Sequence, residues 1–311
     1  MKTLWTDLQP GDKIEKMVAI QDTGLAVPVT ALGGIAQGPS VLITTGIHGS
    51  EYPGTAAMIE LGRELRPEDL KGRLIMIHPI NIGAFKDRLS MIMPEDGLNL
   101  NRVFPGDPQG SISSRVAWWL TALSDEADFF LDLHSGDLFE ELTPYVYYPG
   151  QAESGVVEKS RAMAQVLDVP YIVRSSALTG AYNSAARRGT PSLLIERGGA
   201  GFCRSEEVAR YKSDILNLLK YLALVESKPT PPRAVPRELN NIIYLESKHE
   251  ALWRSEVSKG QWVERGQILG RVFDFFGRTI EEYRAETKGV VLYQLYTLST
   301  KPGDILTAYG N

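Results

Sequence analysis

A chain of 311 residues, 43% hydrophobic and 23% charged, has the composition of a soluble globular protein large enough for one sizeable domain and a small one. Its net charge of -5, with no basic run, argues against nucleic-acid binding, which needs clustered Lys and Arg on phosphates. One cysteine, Cys203, excludes an internal disulfide and fits a reducing compartment. A lone cysteine with no histidine-containing motif beside it reads as inert. No apolar run approaches the roughly 20 residues that span a bilayer. The stretch from Met1 to Lys16 lacks the apolar core of about 7–15 residues that a signal peptide carries. The expectation is a cytoplasmic protein with no membrane partner.

Taken in chain order, 14–20 and 26–32 read as early strands. The apolar run 41–45 reads as a buried strand. A helix is expected over 55–66, closed by Pro67, and a strand over 74–78, ended by Pro79. Residues 113–123 have apolar side chains at helical spacing, with Ser111 or Ser113 as N-cap. Then come a strand over 129–133, a helix over 156–167, short strands over 171–173 and 192–195, and a long helix over 206–225. Helices alternating with short apolar strands imply an α/β fold with a mostly parallel sheet covered on both faces. This part is assigned to 1–227. The Pro-rich segment 228–237 reads as a semi-rigid linker. In 238–311 helical patterns vanish, and short β-like runs alternate with Lys-Gly, Arg-Gly and Pro-Gly turns, as in a small all-β domain.

The run Gly46-Ile47-His48-Gly49-Ser50-Glu51-Tyr52-Pro53-Gly54 directly follows the strand 41–45. A His and a Glu with two residues between them, on a strand-end turn, can face one metal ion. Catalytic zinc sites use three protein ligands and leave one position open, so a third is required. The chain holds four histidines. His134, in Leu131-Asp132-Leu133-His134-Ser135-Gly136, also ends an apolar run. Strand ends opening into loops are where open α/β sheets place their sites. A chance His-x-x-Glu and a packed core histidine remain the alternative. His78 reads as a packed strand residue, and His249 is assigned no role. The chain has no Gly-x-Ser-x-Gly elbow and no phosphate-binding glycine loop, so serine hydrolysis and nucleotide chemistry are unsupported.

Four blocks occur in order: Gly46 to Gly54, Asn99-Leu100-Asn101-Arg102-Val103-Phe104-Pro105-Gly106, Asp132 to Gly136, and Leu194-Ile195-Glu196-Arg197-Gly198-Gly199. Together they resemble the succinylglutamate desuccinylase/aspartoacylase family, the deacylase branch of the zinc carboxypeptidase superfamily. The C-terminal runs Gly289-Val290-Val291-Leu292 and Lys301-Pro302-Gly303-Asp304-Ile305-Leu306 resemble the barrel-sandwich modules of lipoyl and biotinyl carriers, without a lysine placed for modification.

The resemblance implies one zinc per chain held by His48, Glu51 and His134, lowering the pKa of water to about 7 and polarising a carbonyl. It makes Glu196 the general base. On the residues alone, Glu196 could equally be a strand-end acid paired with Arg187, Arg188 or Arg197. Asn101 and Arg102 fall at the family's substrate-carboxylate clamp, a task suited to the planar guanidinium fork. Arg88 corresponds to the arginine that polarises the scissile carbonyl. Asp132 reads either as an outer partner fixing the His134 ring or as strand-end packing. Asn99 replaces an Asp common at its position, which leaves that carboxylate's role unfilled.

Three functions follow. The first is a zinc amidohydrolase that removes an acetyl- or succinyl-type group from an N-acyl amino acid or related small amide. The others are a zinc carboxypeptidase and a metal-binding protein without activity. The full set of His48, Glu51, His134 and Glu196 and the Asn-Leu-Asn-Arg clamp favour the first. The expected partner is the small substrate, and a homo-oligomer is left open.

Overall fold

The computed structural model describes residues 4–311. The first part runs α1 (Leu4–Asp7), β1 (Lys13–Ile20), β2 (Leu25–Gly33), β3 (Ala36–Thr45), α2 (Tyr52–Glu64), β4 (Lys71–Ile77), α3 (Ile82–Asp87) and α4 (Ile112–Asp125). It continues with β5 (Phe129–His134), β6 (Glu140–Leu142), β7 (Tyr145–Pro149), α5 (Ser154–Gln165), β8 (Tyr171–Ser175), α6 (Ala181–Arg187), β9 (Ser192–Glu196), α7 (Ser205–Tyr221) and β10 (Arg237–Leu239). Nine of these strands form one sheet in the order β1-β2-β4-β3-β5-β9-β7-β8-β10. The pairs β4-β3, β3-β5, β5-β9, β7-β8 and β8-β10 are parallel; β1-β2, β2-β4 and β9-β7 are antiparallel. The mixed, mostly parallel α/β sheet is therefore present.

Its central strands are apolar on both sides, and successive residues alternate between two cores. Val41, Ile43, Leu131, Leu133, Leu193 and Ile195 face a core with Ala57, Met58 and Leu61 of α2 and Tyr211, Ile215, Leu218 and Leu219 of α7. Leu42, Phe130 and Leu194 face the other, with Val116, Ala117, Leu120 and Leu123 of α4 and Ala181, Tyr182 and Ala185 of α6. Helices on both faces leave the strand ends as the place where loops can converge.

The expected helix over 55–66 begins earlier, at Tyr52, because Pro53 occupies a first-turn position that needs no N–H donor. It stops at Glu64. Arg66 is extended (φ -122°, ψ 150°), the conformation that the following Pro67 imposes. Ser111 is the N-cap of α4, its side chain accepting from the Ser114 N–H. Short elements of the first part went unpredicted, among them α1, α3, β6, β7 and α6.

The C-terminal part is all β: β11 (Ile242–Glu246), β12 (Ala251–Ser255), β13 (Trp262–Val263), β14 (Ile268–Phe273), β15 (Thr279–Arg284), β16 (Gly289–Leu295), β17 (Ser299–Thr300) and β18 (Ile305–Gly310). One sheet runs β11-β18-β16-β13 and the other β15-β14-β12-β17. Two strands cross the boundary expected from composition. β10 opens inside the Pro-rich segment, at Arg237, and pairs in parallel with β8 as the edge of the large sheet. β6 leaves the first part and pairs with β16. Leu142, Tyr145, Val173 and Leu239 share a buried cluster with Val290 and Leu292, so apolar packing closes the junction. No helix among the described residues is long and apolar enough to cross a membrane.

Candidate active site

The strands β3, β5 and β9 are adjacent and parallel, so their C-terminal ends open on one side. β3 leads into Gly46, whose φ of 68° and close approach to Pro79 exclude a larger residue; an added Cβ would lie 2.3 Å from the Pro79 Cβ. The turn delivers His48 and Glu51. β5 ends in His134, and the parallel register sets Glu196 of β9 directly beside it. Tyr211 of α7 ties the two strand ends together by donating its hydroxyl to the carbonyls of His134 and Ile195.

One ligand atom from each of His48, Glu51 and His134 lies within 4.8 Å of the others, close enough for one metal ion. The Glu51 carboxylate bridges the imidazoles, at 2.8 Å from His48 Nδ1 and 2.9 Å from His134 Nδ1. It also accepts from the Ser135 N–H at 3.0 Å. Burial opposes its ionisation, but the two imidazoles outweigh that and hold the carboxyl at about 2. It is therefore an anion, as ligation requires. The far nitrogens lie close to oxygens. His134 Nε2 is 3.2 Å from Asp132 Oδ2, while Asp132 Oδ1 accepts from the Thr44 hydroxyl at 2.9 Å. His48 Nε2 is 3.4 Å from Asn99 Oδ1. Two imidazoles and a carboxylate, each ring backed by an outer oxygen, suit a borderline metal ion. Asn99, where an Asp is common, thus places an amide oxygen near His48 and also accepts from the Asn101 N–H at 2.8 Å.

Glu196 does not pair with an arginine. Arg197 is buried against Asp214 at 2.6 Å, Arg188 pairs with Asp125 at 2.6 Å, and Arg187 donates to the Leu178 carbonyl. Glu196 Oε2 is buried with no hydrogen-bond partner. Burial and then the charge of Glu51 push this carboxyl well above the usual range, against the pull of His134.

All four groups line a cavity of about 720 Å³. Asn101 and Arg102 line it too. Asn101 is buried, and its Oδ1 accepts from the Ala181 N–H at 3.0 Å, which fixes it to the start of α6. Arg102 is exposed, with one nitrogen 3.3 Å from the Asn101 carbonyl. Arg88 is the exception. It caps the short helix α3 in a left-handed conformation (φ 55°), is exposed, and does not line the cavity. The segment that does reach the wall is two and three residues further on. Met91 lines the cavity, and Ser90 donates to Asp137.

Sequence reasoning missed much of the wall. Asp137 and Glu140 follow His134 closely, and Arg174 is carried by β8. Tyr145 and Tyr147 come from β7, and Tyr244 and Tyr293 from the C-terminal sheet. Tyr147 and Tyr244 join their hydroxyls at 2.8 Å across the junction. His78 contacts Thr30 at 3.0 Å and His249 contacts Glu281 at 2.8 Å; neither lines the cavity.

Two histidines and two glutamates gathered at the strand ends of an α/β sheet form a donor set suited to metal-assisted hydrolysis. Comparison with known proteins agrees. The succinylglutamate desuccinylase/aspartoacylase catalytic domain matches residues 37–222. An N-alpha-acetyl-L-2,4-diaminobutyric acid deacetylase of Halomonas elongata is 32% identical over 289 residues, covering 90% of this chain and 84% of its own. A succinylglutamate desuccinylase/aspartoacylase from Rhodobacter sphaeroides superposes with a TM-score of 0.83 at 28% identity, covering 96% of this chain and 94% of that one. The product-bound ectoine utilization protein EutE (DoeB) from Ruegeria pomeroyi gives 0.84 at 26% identity, with the same coverage. The chain belongs to the succinylglutamate desuccinylase/aspartoacylase family.

Proposed function

We propose that this protein is a zinc-dependent amidohydrolase that removes an acyl group from an N-acyl amino acid. The observation that carries this reading is the juxtaposition of a three-ligand cluster with a buried, unpartnered carboxylate: His48, Glu51 and His134 beside Glu196 in one cavity. Zinc supplies a Lewis acid there, which lowers the pKa of water toward about 7 and polarises a carbonyl. The protein's own groups do the rest. Glu196 takes the proton of the attacking water and returns it to the leaving nitrogen. Burial raises its pKa above the usual carboxylate range, the direction that favours accepting a proton. Asp132 and Asn99 orient the His134 and His48 rings.

Arg102 holds the substrate carboxylate, with Asn101 beside it shaping that end of the cavity. Arg88 has no part in this reading, because it stands outside the cavity wall. A cavity near 720 Å³, with Tyr244 and Tyr293 in its wall, falls in the size range of small-molecule sites. The Halomonas relative is named for an N-acetylated diamino acid. N-acyl amino acids with a second, free amine are therefore the substrates to try first.

The test combines metal analysis with acyl release. The purified chain should hold about one zinc, and His134→Ala should lose it with the fold retained. The zinc-loaded protein should release acetate from N-acetyl amino acids and no free residue from dipeptides. Zinc retained in full by His134→Ala, or dipeptide cleavage without deacylation, would reject the proposal.

A further inference from the structure

Two acids in the cavity wall are not used by the chemistry above. Asp137 is well supplied with donors. It accepts from the Ser50 hydroxyl at 2.6 Å, from the Ser90 hydroxyl and from the Leu138 N–H. Glu140 is not. Among the described residues its carboxyl takes no hydrogen bond from another side chain, only one from the Asp137 backbone, and the charged groups that act on it are Asp137 and Glu51, both acids. The two arginines of the cavity contact backbone carbonyls, not Glu140: Arg102 that of Asn101 and Arg174 that of Gly150.

The position of Glu140 is built. On β6, Glu140 and Leu142 share one face, and the antiparallel register sets them opposite Leu295 and Tyr293 of β16. Leu142 and Tyr293 also line the cavity, so this face looks into it. The Glu140 carbonyl accepts from the Ala200 N–H at 2.8 Å. Gly199 presses so closely that an added Cβ would lie 2.5 Å from that carbonyl oxygen, and its φ of 151° suits glycine alone. The residue is thus held half-buried in the wall of the cavity.

A carboxylate taken out of water without a cation is costly. Asp137 and Glu51 add to the cost, and no basic side chain offsets it. Such a group is half of an ion pair whose other half enters with the ligand. The diamino acid in the Halomonas relative's name points independently to a cation, since it keeps a free ammonium when its α-amine is acylated. We propose that Glu140, backed by Asp137, is a specificity-determining residue that holds a free side-chain ammonium of the substrate. The inference rests on the deacylase reading and deepens it: Arg102 takes the carboxylate, Glu140 takes the side-chain cation, and the amide lies between them at the ligand cluster.

The test uses zinc-loaded full-length protein and two acyl amino acids of equal length, N-acetyl-2,4-diaminobutyrate and N-acetylnorvaline, in which a methyl replaces the ammonium. Wild type should prefer the first. Glu140→Gln keeps the size of the side chain and removes its charge. It should lower the preference about 10- to 100-fold, chiefly through KM, and change the norvaline compound less than about threefold. Glu140→Ala should show the same loss of preference, and Glu140→Asp should recover part of it. An unchanged preference in Glu140→Gln and Glu140→Ala would overturn the proposal. If neither compound is cleaved by wild type, the deacylase reading fails, and the cation site is decided by calorimetry with free 2,4-diaminobutyrate and norvaline. Tighter binding of the diamine, lost in Glu140→Gln, supports the site; equal affinities for the two overturn it.

Discussion

The acid that selects a cationic substrate should weaken the fold when no cation is bound. Burial, then the charges of Asp137 and Glu51, push the Glu140 carboxyl up to about 7 from 4.5. Its folded pKa therefore lies above its unfolded one, so its protonated form stabilises the fold fully below pH 4.5. That stabilisation is lost as pH rises through 7. At about 1.36 kcal/mol per pH unit, the gap between 4.5 and about 7 is about 3 kcal/mol. The open cavity side admits some water, so about 2–3 kcal/mol is the expected effect. Glutamine in the same place cannot ionise. Glu140→Gln should thus match wild type near pH 4.5 and become the more stable protein by about 2–3 kcal/mol at pH 8. Denaturant titrations of the two proteins, treated with chelator and run at intervals from about pH 5 to 8, give this difference directly. Other titrating groups are common to both chains and largely cancel. A difference that stays flat across the range would show that Glu140 titrates as an ordinary surface acid, and would refute the argument from its burial.

Glu196→Gln should keep zinc and lower kcat by at least about 10²-fold, the lower end of general acid–base contributions; near-wild-type kcat in a zinc-replete variant would reject the assigned base. Burial and Glu51 raise the Glu196 pKa, so the acid limb of the wild-type kcat profile should have its midpoint above 4.5, and a pH series should show that limb missing in Glu196→Gln. If Arg102 clamps a carboxylate, wild type should favour N-acyl amino acids over their carboxamides by about 10- to 150-fold, a charged hydrogen-bonded pair. Arg102→Ala should lose that ratio in kcat/KM; an unchanged ratio would move the clamp to Arg174, the other arginine lining the cavity.

The elements legible in the sequence were those with strong period and clear ends. The run 41–45 is apolar at every residue but the last two threonines, and its core residues are fully buried on both faces, as a central parallel strand requires. The helix of 206–225 has a long amphipathic pattern and appears as α7. Short elements gave no such signal. α3 and α6 span too few residues to show a helical repeat, and α6 is preceded by Gly180 as its N-cap, a residue that usually marks a turn. β7 is a tyrosine-rich run between prolines, yet it lies inside the sheet, between β9 and β8. β6 is three residues long and is a strand only because β16 is there to pair with it. Local propensity holds no record of such a partner.

The site divides along the same line. His48, Glu51, His134 and Glu196 sit at the ends of neighbouring parallel strands, so reading the strands was enough to bring them together, whatever the loops did. Asn101 and Arg102 were reachable because a compact motif carries both onto one turn. Arg88 shows the limit of that logic. Its place depends on where α3 ends, and a helix the sequence did not announce left it at the surface. The cavity wall depends on register between distant strands. Glu140 faces inward because β6 meets β16 at Leu142 and Tyr293; a shift of one residue would turn it to the other face. The residues proposed as ligands and base are thus written in single segments. The residues that choose the substrate are fixed by the meeting of the large sheet with the C-terminal one. It follows that relatives can share the four motifs and the reaction while differing in substrate, with the β6–β16 contact as the place to look for the difference.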